Sequence, residues 1–340
     1  MNRALLASVT AVVLISLSAA ADEHVGTLTQ LEGLVQIFSH PSKTMPKEKP
    51  KDGTLALFEG EYYVVGNGKA GDPVENGNIV RTAPGAKARV VFENGDQYQV
   101  GSGTAYRVSW DAKAAERAKL QAKIDLMYGK FRGVVSKEGP RKKMLLRTPT
   151  AVMGVRGTDF FVEENARTGE SEFTIIRGAV DVTPLAKDAK TPAPAPVVVK
   201  AGYSAVVAEA AAKAESPKPV ELRATAQDEL RAIEKHSEIA PASAAAPLSK
   251  EVAAKVEGLE KKALESTLKE IREYSPELHA KLTANPGSAA SLDRVNAASV
   301  EALVPTAPKL APKRRRKPVL KDLDPEEDER AYERYFKPVE

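Results

Sequence analysis

The stretch Arg147-Thr148-Pro149-Thr150-Ala151-Val152-Met153-Gly154-Val155-Arg156-Gly157-Thr158-Asp159-Phe160-Phe161-Val162 decides how this chain is read. In its second half Thr158, Phe160 and Val162 fall on one face of an extended strand, and Asp159 and Phe161 on the other. Both faces carry large apolar groups, so the strand is expected to lie buried between two layers. Gly154 and Gly157 bracket Val155-Arg156 and let the backbone bend or take positive φ on either side of the arginine. Arg156 has two readings, a structural fork to carboxylate or carbonyl groups of the β-core or a ligand contact, and the first is the expectation.

Working outward, short apolar and β-branched runs recur at 27–38, 58–65, 79–80, 88–92, 98–100, 145–147, 173–176, 180–182 and 197–199, punctuated by Asn67-Gly68, Asn76-Gly77 and Asn94-Gly95. Strands at this spacing predict a mainly β domain, solenoid or sandwich-like. The turn at Asn94-Gly95 leaves two registers open, one pairing Val91 with Tyr98 and one pairing Phe92 with Tyr98 and Val90 with Val100. One interruption reads as an inserted helix, residues 111–128, because Ala115, Leu120, Ile124 and Met127 recur at three to five residues.

Of 18 aromatic residues 14 lie between Phe38 and Tyr203, and of 22 glycines 20 lie between Gly26 and Gly202. The chain therefore divides into a β-domain over 22–208, an Ala/Glu/Lys-rich helical region with proline-rich linkers over 209–312, and a charged tail over 313–340. The rear part reads as α-helical and partly disordered. Helices are expected at 221–238, 250–274 and 288–304; the middle one has Ser249 as its cap and Ser275-Pro276 as its stop. At the other end, Arg3, an apolar run over 4–17 and Ala19-Ala20-Ala21 form a secretory signal peptide over 1–21, with cleavage near Ala21 and a periplasmic or secreted product. Inner-membrane anchoring by residues 4–20 is the less favoured alternative.

Chemistry is sparse. With no cysteine there is no thiolate nucleophile, disulfide or Cys-ligated metal. Gly66-Asn67-Gly68-Lys69-Ala70-Gly71 has the letters of a dinucleotide loop, but Asp72-Pro73 and Asn76-Gly77 follow where a helix must begin, so it reads as a surface loop. The histidines His24, His40, His236 and His279 are scattered, with His24 expected to be solvated near the mature N-terminus, and no Ser/His/Asp set or nucleophile elbow is present. No enzyme, cofactor or metal is expected. A net charge of +4 argues against a nucleic-acid partner.

The quoted stretch resembles the signature of the FecR domain, through Thr148-Pro149, Gly154, Arg156-Gly157-Thr158 and Phe160. The resemblance runs in order through Leu31-Glu32-Gly33-Leu34-Val35, Ile79-Val80-Arg81-Thr82, Ala86 to Phe92, Gly129-Lys130-Phe131-Arg132-Gly133, Ile176-Arg177-Gly178-Ala179-Val180 and Lys200-Ala201-Gly202-Tyr203, covering roughly 25–208. It departs from the family at the Pro/Lys-rich insertion over 41–52 and at the helix expected over 111–128. The resemblance implies a β-domain that passes signals through protein contacts. Family members of the best-known kind span the inner membrane and reach a sigma factor through a cytoplasmic N-terminal segment. Only Met1, Asn2 and Arg3 precede the apolar run here, so the expectation is an exported FecR-domain protein without that segment.

Two partner readings follow. An envelope protein is one, met through exposed β-edges, the helical region, or Tyr332, Tyr335 and Phe336, which read either as a docking motif or as a helix end packed on its own domain. Peptidoglycan or another anionic envelope polymer is the other, attracted by Arg314, Arg315 and Arg316 inside the five cations of 313–317. Six acidic residues between Asp322 and Glu329 screen that run, which also reads as a solvated charged linker.

Overall fold

The computed structural model describes residues 24–46, 50, 53–110, 120–137, 141–185, 194–208, 220–239, 248–285, 287–309 and 320–339. The expected signal peptide and Arg314, Arg315 and Arg316 lie outside these residues.

Among the described residues nineteen strands follow in chain order: β1 (His24–Glu32), β2 (Val35–Ser42), β3 (Thr54–Phe58), β4 (Glu61–Asn67), β5 (Pro73–Glu75), β6 (Ile79–Thr82), β7 (Lys87–Phe92), β8 (Gln97–Val100), β9 (Thr104–Trp110), β10 (Leu120–Val134), β11 (Arg141–Arg147), β12 (Ala151–Val155), β13 (Asp159–Asn165), β14 (Glu170–Arg177), β15 (Ala179–Pro184), β16 (Val197–Lys200), β17 (Tyr203–Ala208), β18 (Glu221–Ala224) and, near the C-terminus, β19 (Lys337–Val339). Between the last two lie helices α1 (Gln227–Ser237), α2 (Lys250–Tyr274), α3 (Pro276–Ala284), α4 (Leu292–Glu301) and α5 (Pro325–Tyr335).

The strands form two sheets that share β10. Sheet A runs β5-β1-β7-β8-β10-β13-β14-β17-β18. Sheet B runs β19-β3-β4-β2-β6-β9-β10-β11-β12-β15-β16, antiparallel except at β10-β11. The early part of β10, through Tyr128, pairs with β9, and the later part with β8 and β13. Gly129 makes the crossing: its φ is +98°, and a Cβ there would lie 2.3 Å from Thr104 Oγ1. The inward faces of both sheets fill one core, with Leu28, Val90, Tyr98, Phe131, Phe160 and Phe173 from sheet A meeting Val80, Tyr106, Ile124, Leu146, Met153 and Val182 from sheet B. The expected mainly β, sandwich-like architecture followed by helices is what the chain forms.

The helix expected over 111–128 is corrected wherever the residues are described, because 120–128 is strand. Ile124 and Leu126 enter the core on alternate positions, while Lys123 and Asp125 point away and pair at 2.8 Å. Strands β9 and β11 on either side take up the backbone hydrogen bonds, which outweighs a helical spacing carried by only four residues. At the β7-β8 hairpin neither expected register occurs. Val90 faces Tyr98 and Ala88 faces Val100, closed by a three-residue turn over 93–95, with Gly95 N–H donating to Phe92 O at 2.8 Å. This register sends all four side chains into the core. His24, expected to be solvated, opens β1 and lies 3.1 Å from Glu93.

In the helical part, α2 occupies the expected 250–274 and Ser249 accepts the Val252 N–H at 3.3 Å. Beyond the Ser275-Pro276 stop the chain at once begins α3, with proline in its first turn. The helix expected from 221 starts only at Gln227, since residues 221–224 add to the edge of β17 and Arg223 grips Glu172 and Glu229. These helices are not a detached tail. Helices α1, α2 and α4 cover the outer face of sheet A, and α5 covers the β2-β3-β4-β6-β9 part of sheet B.

Candidate interaction surfaces

The signature segment is placed by the β11-β12 turn and the β12-β13 connection. Thr148 Oγ1 accepts the N–H groups of Thr150 at 3.3 Å and Ala151 at 3.1 Å, fixing the turn around exposed Pro149. Gly154 lies inside β12 and pairs with Asp181, leaving a dip in the outer face of sheet B. Gly157 has φ +64°, and a Cβ there would meet Lys137 Cγ at 2.1 Å. Thr158 is buried and its carbonyl accepts the Val135 N–H at 2.9 Å. Phe160 fills the core between the sheets, and Phe161 packs on the other side against Ile176, Leu230, Ile233 and Val300. The strand therefore does lie between two layers.

Arg156 is exposed, which corrects the expectation of a buried fork. The fork is made instead by Arg132. Its Nε and Nη2 donate to the two carboxylate oxygens of Asp159 at 2.9 Å each, and Nη2 also donates to Asn296 O at 2.9 Å. Arg132 and Asp159 are 1% and 0% exposed. The physics anticipated for the signature arginine holds for another arginine because β10 points Arg132 under α4, whereas Arg156 follows the last outward position of β12. Arg156→Ala is accordingly expected to change the unfolding free energy by less than about 0.5 kcal/mol. Gly157→Ala is expected to cost about 1–2 kcal/mol through its left-handed backbone, and urea unfolding of the two variants checks both.

Arg156 stands on a face of sheet B that no helix covers among the described residues. A trough of about 270 Å³ there is lined by Gly154, Val155, Arg156, Ala179, Asp181 and Val198. Val198 is 53% exposed. Arg147, Arg156 and Lys200 are exposed around it and form no ion pair among the described residues. Strand β16 bounds this face and among the described residues pairs on one side only, with β15. Ala201 N–H donates to Gly178 O, so by alternation the backbone groups of Val198 and Lys200 point to the open edge.

Sheet A presents a second charged face, which the sequence did not single out. Arg89, Gln99 and Arg132 lie side by side across β7, β8 and β10, with Gln97 and Lys130 next to them. Arg89 ion-pairs with Glu260 and Asp293, and Lys130 with Asp322 at 2.7 Å. Arg177 is 7% exposed with no hydrogen-bond partner on any guanidinium nitrogen among the described residues, and burial pulls its pKa down against the fields of Asp159 and Glu270. The available signal was the period-two recurrence of polar residues in these strands, which an ordinary solvated face gives equally well.

Tyr332, Tyr335 and Phe336 are brought together, on the protein's own domain. Phe336 is 1% exposed, with its ring centroid 4.9 Å from Phe38 and 5.2 Å from Phe58. Tyr335 Oη donates to Met127 O at 3.0 Å, and Tyr332 lies under the Arg81 guanidinium at 4.6 Å. Arg81 also pairs with buried Asp328, whose carboxyl is raised by burial, with Arg81 opposing the shift. Strand β19 then adds to the edge of β3. Of the two readings of this cluster the packed helix end is the one that forms, correcting a free docking motif: Phe336 is buried and Tyr332 and Tyr335 are half-buried, because Phe38, Phe58 and Tyr63 offer an apolar seat.

Near the same C-terminal segment, His236 Nδ1 lies 3.5 Å from Asp322. Burial, then the charges of Lys130 and Lys87, hold its pKa at about 4 despite Asp322. A folded pKa below the unfolded value means that the unfolded chain takes the proton first. Stability is therefore whole above about pH 6.5 and falls as pH drops from there toward 4. With solvent screening the loss is about 1–2 kcal/mol, and His236→Gln is expected to flatten the urea midpoint between pH 7 and 4.5 relative to the parent.

A family model described as FecR protein matches residues 78–181, from just before β6 into β15. The chain carries a FecR domain. Its match includes Gly154, Arg156, Ala179 and Asp181 of the uncovered face, but not Val198 or Lys200, and it includes the cations Arg89, Lys130, Arg132 and Arg177, whereas Glu260, Glu270, Asp293 and Asp322 lie outside it. Two solved structures of a candidate anti-sigma factor from Parabacteroides distasonis are similar to the FecR-domain chain at 14% identity and a TM-score of 0.34. The alignments cover 45% of this chain and 63% and 62% of theirs, less than two thirds of their length. No curated protein matches. Among the described residues, no group of three or more His, Asp or Glu is placed to hold a metal, and no helix is long and apolar enough to cross a membrane.

Proposed function

We propose that this protein is an exported, non-enzymatic FecR-domain module that acts in the cell envelope by binding another protein. The Arg156 face carries this reading. The FecR signature places an exposed arginine there, beside a Gly154 dip, an exposed Val198 and a strand edge unpaired among the described residues. Three cations without ion-pair partners among the described residues and an apolar centre suit a protein surface with matching carboxylates. The β16 edge adds main-chain groups that an extended segment can take up. The FecR domain marks the chain as a signalling or regulatory module. The apolar run before Ala21 supports export.

The test combines location with contact. In the native host, the protein is expected outside the cytoplasm with Asp22 as its first residue. A photo-crosslinking residue at Val198 is expected to give a discrete protein adduct that Arg156→Glu weakens at least tenfold, while the same probe at Leu222, 47% exposed on the other sheet, gives none. An unprocessed cytoplasmic protein, or equal labelling from both positions, overturns the proposal.

A further inference from the structure

The contact between sheet A and the helices above it has an unusual composition. Glu260 of α2 accepts from Arg89 Nη1 at 3.2 Å and from Thr29 Oγ1 at 2.7 Å. One turn pair further, Thr267 Oγ1 accepts from Gln97 Nε2 at 3.0 Å. Glu270 then accepts from the Lys137 N–H at 2.7 Å and from Ser136 Oγ at 3.1 Å. From α4, Asp293 pairs with Arg89, Asn296 O accepts from Arg132, and Asn296 Nδ2 donates to Gln97 Oε1 at 3.0 Å. Positions 260, 267 and 270 are spaced by seven and three, so they share one face of α2.

Apolar contact at this junction falls in two places. Val91 meets Ala263, Leu292 and Leu259, and Val300, with Leu303 and Val304, meets Phe161 and Ile176 beside Leu230 and Ile233 of α1. Helices α2, α3 and α4 meanwhile close a core of their own around Ile271, Leu282 and Val295 with Leu264, Leu268 and Leu278. A body with its own core, joined to a domain through ion pairs and hydrogen bonds around two apolar contacts, has the make-up of a reversible protein–protein contact, an apolar centre with a polar surround. Arg89, Gln97 and Arg132 belong to the FecR match, and Glu260, Glu270 and Asp293 come from outside it.

We propose that the outer face of sheet A is a docking surface for a helix bearing carboxylates at this spacing, which the chain fills with its own α2–α4 unit, so that an outside helix of the same chemistry binds by displacing it. This surface is separate from the Arg156 face, and either proposal can fail without the other.

The experiment uses the full chain with a specific protease site inserted within 241–247 and another within 311–319, on either side of the unit, cut after folding. The probe is a fluorescent synthetic peptide of residues 248–309. At 50 mM NaCl the cut unit is expected to stay bound and to be replaced by excess peptide within hours; at 500 mM it is expected to leave. A peptide carrying Glu260→Lys and Asp293→Lys should compete at least 30-fold more weakly, and Arg89→Glu in the protein should recover at least a third of that loss. The proposal is overturned if the unit neither exchanges in a day nor leaves in salt, if the reversed peptide competes equally, or if the β-part precipitates once the unit has gone, which would make this face core.

Discussion

Asp159→Ala is expected to destabilise the protein by about 3–5 kcal/mol, the cost of leaving a buried arginine without its carboxylate. Arg132 keeps only the Asn296 carbonyl, and Arg177, already without a hydrogen-bond partner, loses the nearby negative charge as well. The pair itself need not contribute net stability, because removing two charges from water costs about what their attraction returns. Replacing both partners, Arg132→Met with Asp159→Leu, is therefore expected to stay within about 1 kcal/mol of the parent. Urea unfolding separates the cases. If the single and double variants lose equal stability, packing rather than an orphaned charge is responsible.

Phe336→Ala is expected to cost about 3–5 kcal/mol in the packing of the C-terminal segment, the range for emptying a buried phenylalanine site. The ring is wedged among Phe38, Phe58 and Tyr332, and β19 follows it directly. Because this element sits at the end of the chain, it can release without unfolding the sheets. The sensitive readout is amide exchange at Leu55 and Leu57, which pair with Val339 and Lys337 and are expected to lose at least tenfold in protection. Tyr335→Phe, which removes only the hydrogen bond to Met127 O, is expected to cost about 1 kcal/mol. Unchanged protection in Phe336→Ala would show that β19 is held by its backbone bonds alone.

These variants also mark how far the sequence could be followed. A strand with one clear apolar face, such as β15, was legible because burial on one side imposes the period-two pattern. So was α2, whose cap and stop are local. Strand β10 was misread because a segment passing between two sheets changes which face is buried partway along, which blurs its alternation into helix-like spacing. Strands β18 and β19 were missed for another reason: three or four residues carry no period, and each forms only because an edge is waiting for it.

The sequence by itself determined the domain class, the division into a glycine-rich β part and a helical part, and the family of the domain. These depend on backbone preference, periodicity and a specific motif, all of which are local. Tertiary structure alone decided which charges are buried. Arg132 on β10 and Arg156 just past β12 belong to the same domain and are chemically identical, yet one is sealed beneath α4 and the other faces the open. It also turned Phe336 inward and set three acids from the rear part of the chain, Glu260, Asp293 and Asp322, against Arg89 and Lys130 of sheet A. Burial and charge pairing depend on which distant segments meet, and that is settled only when the chain closes on itself.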